Sequence, residues 1–258
     1  MKALLINISI AYITLLLFAY VLADHMIFLP PSSGYTDSGE FIKLTTSDGE
    51  KIFAYYLPNK KAKYTLLVSH GNAEDIGYMR PFFEEMYKQG YSVFSYDYHG
   101  YGLSSGRPTE KNTYLDINAA YDYLTRVLNV SPDRIISFGH SVGAAVALDL
   151  AARKPVAGVI LQGAFLTAFR VVTKIPIFPF DKFRNNRKIK NIKCPLLMIH
   201  GNRDRVIPFK HGKKLYDLAL DPKVFYEVQG AGHNDILLVS GEKYWKVMSD
   251  FITKYIKR

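Results

Sequence analysis

The sequence predicts an α/β fold, a mainly parallel sheet covered by helices on both faces. Three features predict it. Short apolar runs, each closing on a glycine-containing turn, recur along the chain. Segments of helical periodicity separate them. The runs are apolar at successive positions, as strands buried on both faces must be. With 258 residues, 48% of them hydrophobic, the chain can bury one sizeable core.

Taken in order, the first element is "ALLINISIAYITLLLFAYVLA", residues 3–23, which carries no charge. About 20 helical residues cross a bilayer core, whereas a cleaved signal peptide has a shorter apolar region of about 7–15. Residues 1–23 are therefore expected to be an uncleaved transmembrane anchor. Lys2 is then expected to leave the N-terminus in the cytoplasm and the rest of the chain on the non-cytoplasmic side. The alternative is cleavage after Val21 and Ala23, whose small side chains suit a signal peptidase, giving a secreted or periplasmic protein. Residues 24–39 contain Pro30, Pro31, Ser32, Ser33 and Gly34 and read as a linker to a single domain over 40–258.

That domain opens with "EFIKLTTSDGEKIFAYYLP", a hairpin signal around Asp48-Gly49 and an expected antiparallel edge. The further strands are expected in "KYTLLVSHGNAED", "YSVFSYDYHGYGLSSG", "RIISFGHSVG", "VAGVILQGAF", "CPLLMIHGNRD" and "KVFYEVQGAGHND". Helices are expected over 81–88, 113–128, 144–153, 210–220 and 242–256. Residues 167–192 break the alternation. They join "IPIFPF" to a basic run and read as a cap or lid insertion.

Charge and cysteine usage exclude other classes. The net charge of +10 concentrates in 181–193, with six basic residues against one acidic, and at Lys254, Lys257 and Arg258. No aromatic–basic interleaving, zinc-ligand spacing or helix-turn-helix signature accompanies it, so nucleic acid is not an expected partner. The single Cys194 excludes an internal disulfide framework and a cysteine-rich metal site, and reads as core filler.

Ligands of such a sheet bind at the carboxyl ends of its strands, and here polar and glycine residues collect at those ends. Gly139-His140-Ser141-Val142-Gly143 lies between an apolar strand and an alanine-rich helix. Gly-x-Ser-x-Gly in that setting is a nucleophile elbow, which lifts Ser141 out of the backbone. A serine hydroxyl attacks only when a base takes its proton. Of the later histidines, His200 lies inside a strand and His211 in an expected surface helix. His233, in "GAGHND", hangs on a loop after a strand and is the expected base. Asp204, on the loop "HGNRDRVIP", is the expected acid, with Asp181 and Asp217 weaker candidates. Backbone N–H groups of Val142 and of Asn72 or Ala73 are expected to form the oxyanion hole. Asp97 and His99 read as loop-shaping. His140 is expected to point away from the serine and to be structural.

Together "HGNAED", "YDYHGYGLSSG", "GHSVGAAVA", "HGNRDRVIP" and "GAGHND" resemble the α/β-hydrolase superfamily over nearly all of the chain after the linker. "HGNAED" and "IFLPP" look like its membrane-associated branch, which contains protein depalmitoylases. The resemblance implies an eight-stranded-type sheet with a short cap. It implies a Ser141–Asp204–His233 triad and no metal or organic cofactor. Where that branch carries a cysteine-rich N-terminus, this chain has the apolar run. The expected function is a membrane-anchored serine hydrolase that cleaves esters or thioesters, with a small-molecule or lipid ester as substrate. The alternatives are an amide or peptide hydrolase of the same fold and a non-catalytic binding module.

Overall fold

The computed structural model describes residues 1–173 and 177–256. Lys174, Ile175 and Pro176 of the expected cap, and Lys257 and Arg258 of the basic C-terminus, lie outside the described residues. The chain opens with α1 (Lys2–Ile27), followed by the antiparallel hairpin β1 (Ile42–Thr45) and β2 (Lys51–Leu57). Then come β3 (Thr65–Ser69), α2 (Arg80–Lys88), β4 (Ser92–Tyr96), α3 (Glu110–Arg126), β5 (Ile135–His140) and α4 (Val142–Arg153). After β6 (Gly158–Gln162) the insertion holds the short helices α5 (Ala168–Thr173) and α6 (Asn185–Lys188). The chain closes with β7 (Leu196–Gly201), α7 (Lys210–Leu218), β8 (Lys223–Val228), α8 (Ile236–Ser240) and α9 (Glu242–Tyr255).

The strands form one eight-stranded sheet in the order β1-β2-β4-β3-β5-β6-β7-β8, parallel from β4 to β8. The expected antiparallel edge is the β1–β2 hairpin, and β2 also pairs antiparallel with β4. Side chains alternate across a strand, and here both faces are apolar. Leu66 and Val68 pack with Phe83 and Met86 of α2 and Met248 of α9, whereas Leu67 packs on the opposite face with residues of α3 and α4. This two-sided demand explains why the strand sequences do not alternate in polarity.

Helix starts follow local chemistry. Thr109 caps α3, its hydroxyl accepting from Asn112 N–H at 3.1 Å, and Pro81 occupies the first turn of α2. Helix α4 is buried along almost its whole length, and its alanines let it lie close under the sheet.

Two regions depart from expectation. Residues 24–39, expected to be a linker, pack in part onto the domain. Phe28 is 3% exposed in the core beside Tyr101 and Phe183, and Gly34 and Tyr35 bond to buried carboxylates. Proline, serine and glycine break regular structure but do not forbid packing. His211, expected on a surface helix, sits on the buried face of α7. Helix α1 is apolar and largely exposed. Among the described residues it is long and apolar enough to cross a membrane. Its last turns meet the insertion through a Tyr20–Phe180 edge contact and an Asp24–Lys182 ion pair at 3.0 Å.

Candidate active site

Strand β5 runs into α4 through Ser141, which has φ 56° and ψ −117°. That conformation is sparsely populated for any side-chain-bearing residue and marks stored strain. The two flanking glycines are required by contact. A Cβ on Gly139 would run into the Gly143 carbonyl, and one on Gly143 would run into the carbonyl of Ser69 at the end of β3. The elbow is fixed from both sides: Ser141 N–H donates to Gln162 O of β6 at 2.9 Å, and Ala144 N–H donates to Ser141 O at 3.0 Å.

His233 follows β8 and Asp204 follows β7, so the parallel sheet brings both to the end where β5 terminates. His233 Nε2 lies 2.9 Å from Ser141 Oγ, and His233 Nδ1 lies 2.6 Å from Asp204 Oδ2. All three residues are buried. Burial alone would raise the Asp204 carboxyl. Hydrogen bonds from His200, His233 and Ile207 N–H outweigh it and hold the group well below the usual carboxylate range. An ionised Asp204 only accepts, so Nδ1 of His233 carries the hydrogen and Nε2 offers its lone pair to the Ser141 hydroxyl. Asp204 Oδ1 accepts from Val206 N–H at 2.9 Å and Ile207 N–H at 2.7 Å, which fixes the carboxylate plane.

Opposite the elbow, the loop after β3 carries Asn72 and Ala73. Ala73 has φ 57°, the left-handed region. Neither Val142 N–H, at the start of α4, nor Ala73 N–H donates to a protein acceptor among the described residues. The N-terminus of α4 adds its partial positive charge at the elbow. The Asn72 side chain is committed elsewhere: its Oδ1 accepts from Leu29 N–H and Tyr101 O–H.

His140 corrects an expectation. It does not point away from the site, because its ring lies 5.0 Å from the ring of His233, tilted by 33°. The turn at Ser141 swings the backbone away after His140, so the histidine remains at the end of β5 among the site residues. Its Nδ1 faces Glu74 Oε2 at 3.7 Å, and the same carboxylate oxygen accepts from Gly71 N–H at 2.7 Å. Burial would raise Glu74, but His140, His70 and the Gly71 N–H bond hold it below its ordinary value. Glu74 lies within the quoted "HGNAED", but no role was expected of it; its local signal is the three-residue spacing from Gly71. His200 was also missed as a partner of the acid. Its Nε2 donates to Ile207 O at 2.9 Å and lies 3.3 Å from Asp204 Oδ2.

The remaining candidates have other partners. Asp181 accepts from Phe169 N–H and Lys182 N–H within the insertion, and Asp217 pairs with Lys213 on the exposed face of α7. His99 Nδ1 lies 2.5 Å from Asp116 Oδ1 beneath its loop. Asp97 accepts from Tyr35 O–H and Ile76 N–H. A cavity of about 520 Å³ opens between the insertion and α7, lined by Thr167, Phe178, Phe180, Arg184 and Leu218.

The family model described as serine aminopeptidase, S33, matches residues 60–180. Human alpha/beta hydrolase domain-containing protein 17B is 41% identical over 230 residues, covering 86% of this chain and 78% of that protein. Mouse alpha/beta hydrolase domain-containing protein 17C is 42% identical over 198 residues, covering 74% of this chain and 60% of that protein. Among solved structures, the Pyrococcus furiosus esterase Pf2001 superposes with a TM-score of 0.72 at 21% identity, covering 90% of this chain and 99% of its own. Est1E from Butyrivibrio proteoclasticus, solved with ferulic acid, superposes with a TM-score of 0.68 at 18% identity, covering 83% of this chain and 100% of its own.

Proposed function

The chain belongs to the alpha/beta hydrolase domain-containing protein 17 family of α/β hydrolases, and from that premise we propose that it cleaves carboxylic esters or thioesters through an acyl-enzyme on Ser141. One observation carries this function: a hydrogen-bonded row from Ser141 Oγ through both nitrogens of His233 to Asp204. As Oγ attacks the acyl carbonyl carbon, its proton passes to His233 Nε2. The carbonyl oxygen becomes an anion facing the N–H groups of Val142 and of Ala73 or Asn72. Collapse breaks the bond to the alcohol or thiol, which leaves with the proton from Nε2. Water then attacks the acyl-enzyme, giving its proton to His233, and Ser141 departs with that proton restored. Asp204 holds the imidazole and stabilises its charged form without taking the proton. Each oxyanion donor is worth about 2.7–4 kcal/mol of transition-state stabilisation.

Residues 1–23 act in this proposal as the membrane anchor, with 24–39 leading to the hydrolase domain over 40–258 and the cap at 167–192. The single lysine before the anchor favours a catalytic domain on the non-cytoplasmic side, and cleavage before Asp24 would free it. Aromatic side chains of the cap, Phe169, Phe178 and Phe180, pack on one another and offer an apolar wall for an acyl chain. Labelling with a fluorophosphonate tests the mechanism. The wild-type protein should be labelled and Ser141→Ala should not. Labelling that survives the substitution removes Ser141 from the chemistry. The match to a serine aminopeptidase model favours amide cleavage as the second reading; hydrolysis of anilides at rates matching those of esters would select it.

A further inference from the structure

The oxyanion loop is held at several points by the chain segment that leaves α1. Asn72 Oδ1 accepts from Leu29 N–H at 2.9 Å and from Tyr101 O–H at 2.6 Å. Asp75 Oδ2 accepts from Gly34 N–H at 2.6 Å, while its Oδ1 accepts from Tyr78 N–H at 2.9 Å. Tyr35 O–H donates to Asp97 Oδ2 at 2.5 Å, and Asp97 Oδ1 takes the N–H of Ile76 at 2.9 Å. Residues 29, 34 and 35 thus fix residues 72, 75 and 76. Between the fixed points lies Ala73 at φ 57°. The left-handed conformation costs an L-residue about 1–2 kcal/mol, so it persists only where its surroundings over-determine it.

We propose, building on the hydrolase function above, that residues 28–35 form a strap that aims the oxyanion donor of Ala73, with Leu29 and Tyr101 as positioning residues. The strap has its own anchor. Phe28 is buried against Tyr101 at 6.5 Å and Phe183 at 6.0 Å between ring centroids. Its N–H donates to Asp24 O at 2.9 Å, so it also closes the last turn of α1. The membrane-anchor helix and the oxyanion loop are therefore joined through Phe28 and Leu29. A residue that touches no substrate acts here through the backbone of Asn72 and Ala73. Misplacement of a catalytic group by about 1 Å can cost about 100-fold in rate, which sets the scale of the effect.

Leu29 allows a clean test, because its side chain is largely exposed and only its N–H makes the contact. Leu29→Ala keeps that N–H and Leu29→Pro removes it. Phe28 already has the extended conformation (φ −103°, ψ 123°) that a following proline requires. Tyr101→Phe removes the second bond while keeping the ring that packs on Phe28. The full-length protein in detergent is assayed on p-nitrophenyl butyrate, with Tm measured for each variant. Leu29→Ala should match the wild type. Leu29→Pro and Tyr101→Phe should each lower kcat about tenfold, and the double variant about 100-fold, with KM within about twofold and Tm little changed. Amide exchange across residues 71–77 should accelerate in Tyr101→Phe, a readout that stands even where Leu29→Pro does not fold. Wild-type kcat in the double variant, or unchanged exchange in Tyr101→Phe, overturns the strap. Ser141→Ala in the same assay separates the two claims. If it is inactive while Leu29→Pro turns over normally, only the strap falls. If it is as active as the wild type, the hydrolase mechanism falls, and the strap's catalytic role with it.

Discussion

Asp204 shows how one residue sets the chemistry of another. Its carboxylate receives His233 Nδ1 at 2.6 Å, two backbone N–H groups, and His200 at 3.3 Å. Asp204→Asn should leave the fold intact but favour the wrong imidazole tautomer. Steady-state ester hydrolysis should show kcat reduced by about 10⁴-fold, the loss known for the equivalent change in a serine protease. Asp97 makes a separate prediction about pH. Burial pushes its carboxyl up to about 8, against the hydrogen bonds from Tyr35 and Ile76. An unfolded chain releases the same proton near about 3.9. Between those values the folded state binds more protons than the unfolded state, so stability falls as pH rises through that window. Thermal melts should show the Tm of the wild type, relative to Asp97→Asn, declining from about pH 5 to about pH 8. At this scale the sequence was most informative where a motif ties residue type to backbone. Ser141 is marked by its flanking glycines, and His233 by its loop after a strand. Glu74 and His200 were not legible. Each has a local partner, Gly71 for Glu74 and Asp204 for His200, but the pairing of Glu74 with His140 exists only where the ends of β3 and β5 meet.

Among the elements, the cap, α3 and the strap converge on Phe183. Its ring is fully buried between Phe28 of the strap, Tyr114 of α3 and Phe165 after β6. Truncation of such a ring costs about 3–5 kcal/mol. Phe183→Ala should therefore lower denaturant stability by about that amount, without removing any group of the hydrogen-bonded row. The longer helices were readable from periodicity to within a few residues: 81–88 is α2 at Arg80–Lys88, and 242–256 is α9 at Glu242–Tyr255, whereas the short α5, α6 and α8 were not expected. Packing of residues 28–35 was not readable. Proline, serine and glycine report only that regular hydrogen bonding stops. The partners of Leu29, Gly34 and Tyr35 are more than 40 positions away in sequence.

At the scale of the whole molecule, the parallel run from β4 to β8 gathers the ends of β3, β5, β7 and β8 on one side. Ser141, Asp204 and His233, far apart along the chain, meet there for that reason. The fold class was legible because two-sided burial leaves its mark on every strand. The strand order was not, because register and crossover depend on pairings between distant segments. The proposed anchor makes a prediction at this scale. The full chain should float with lipid vesicles, and a form beginning at Asp24 should not, while its kcat on a soluble ester stays within about twofold, because the strap begins beyond that point. Equal flotation of both forms would place membrane binding outside α1. The central claim is that Ser141 carries the acyl group. Rapid quenching during turnover of a p-nitrophenyl ester, followed by peptide mass spectrometry, tests it directly. The account predicts a burst of nitrophenol and an acyl adduct on the peptide containing Ser141; turnover with the acyl group on another residue, or with no adduct and no burst, would contradict it.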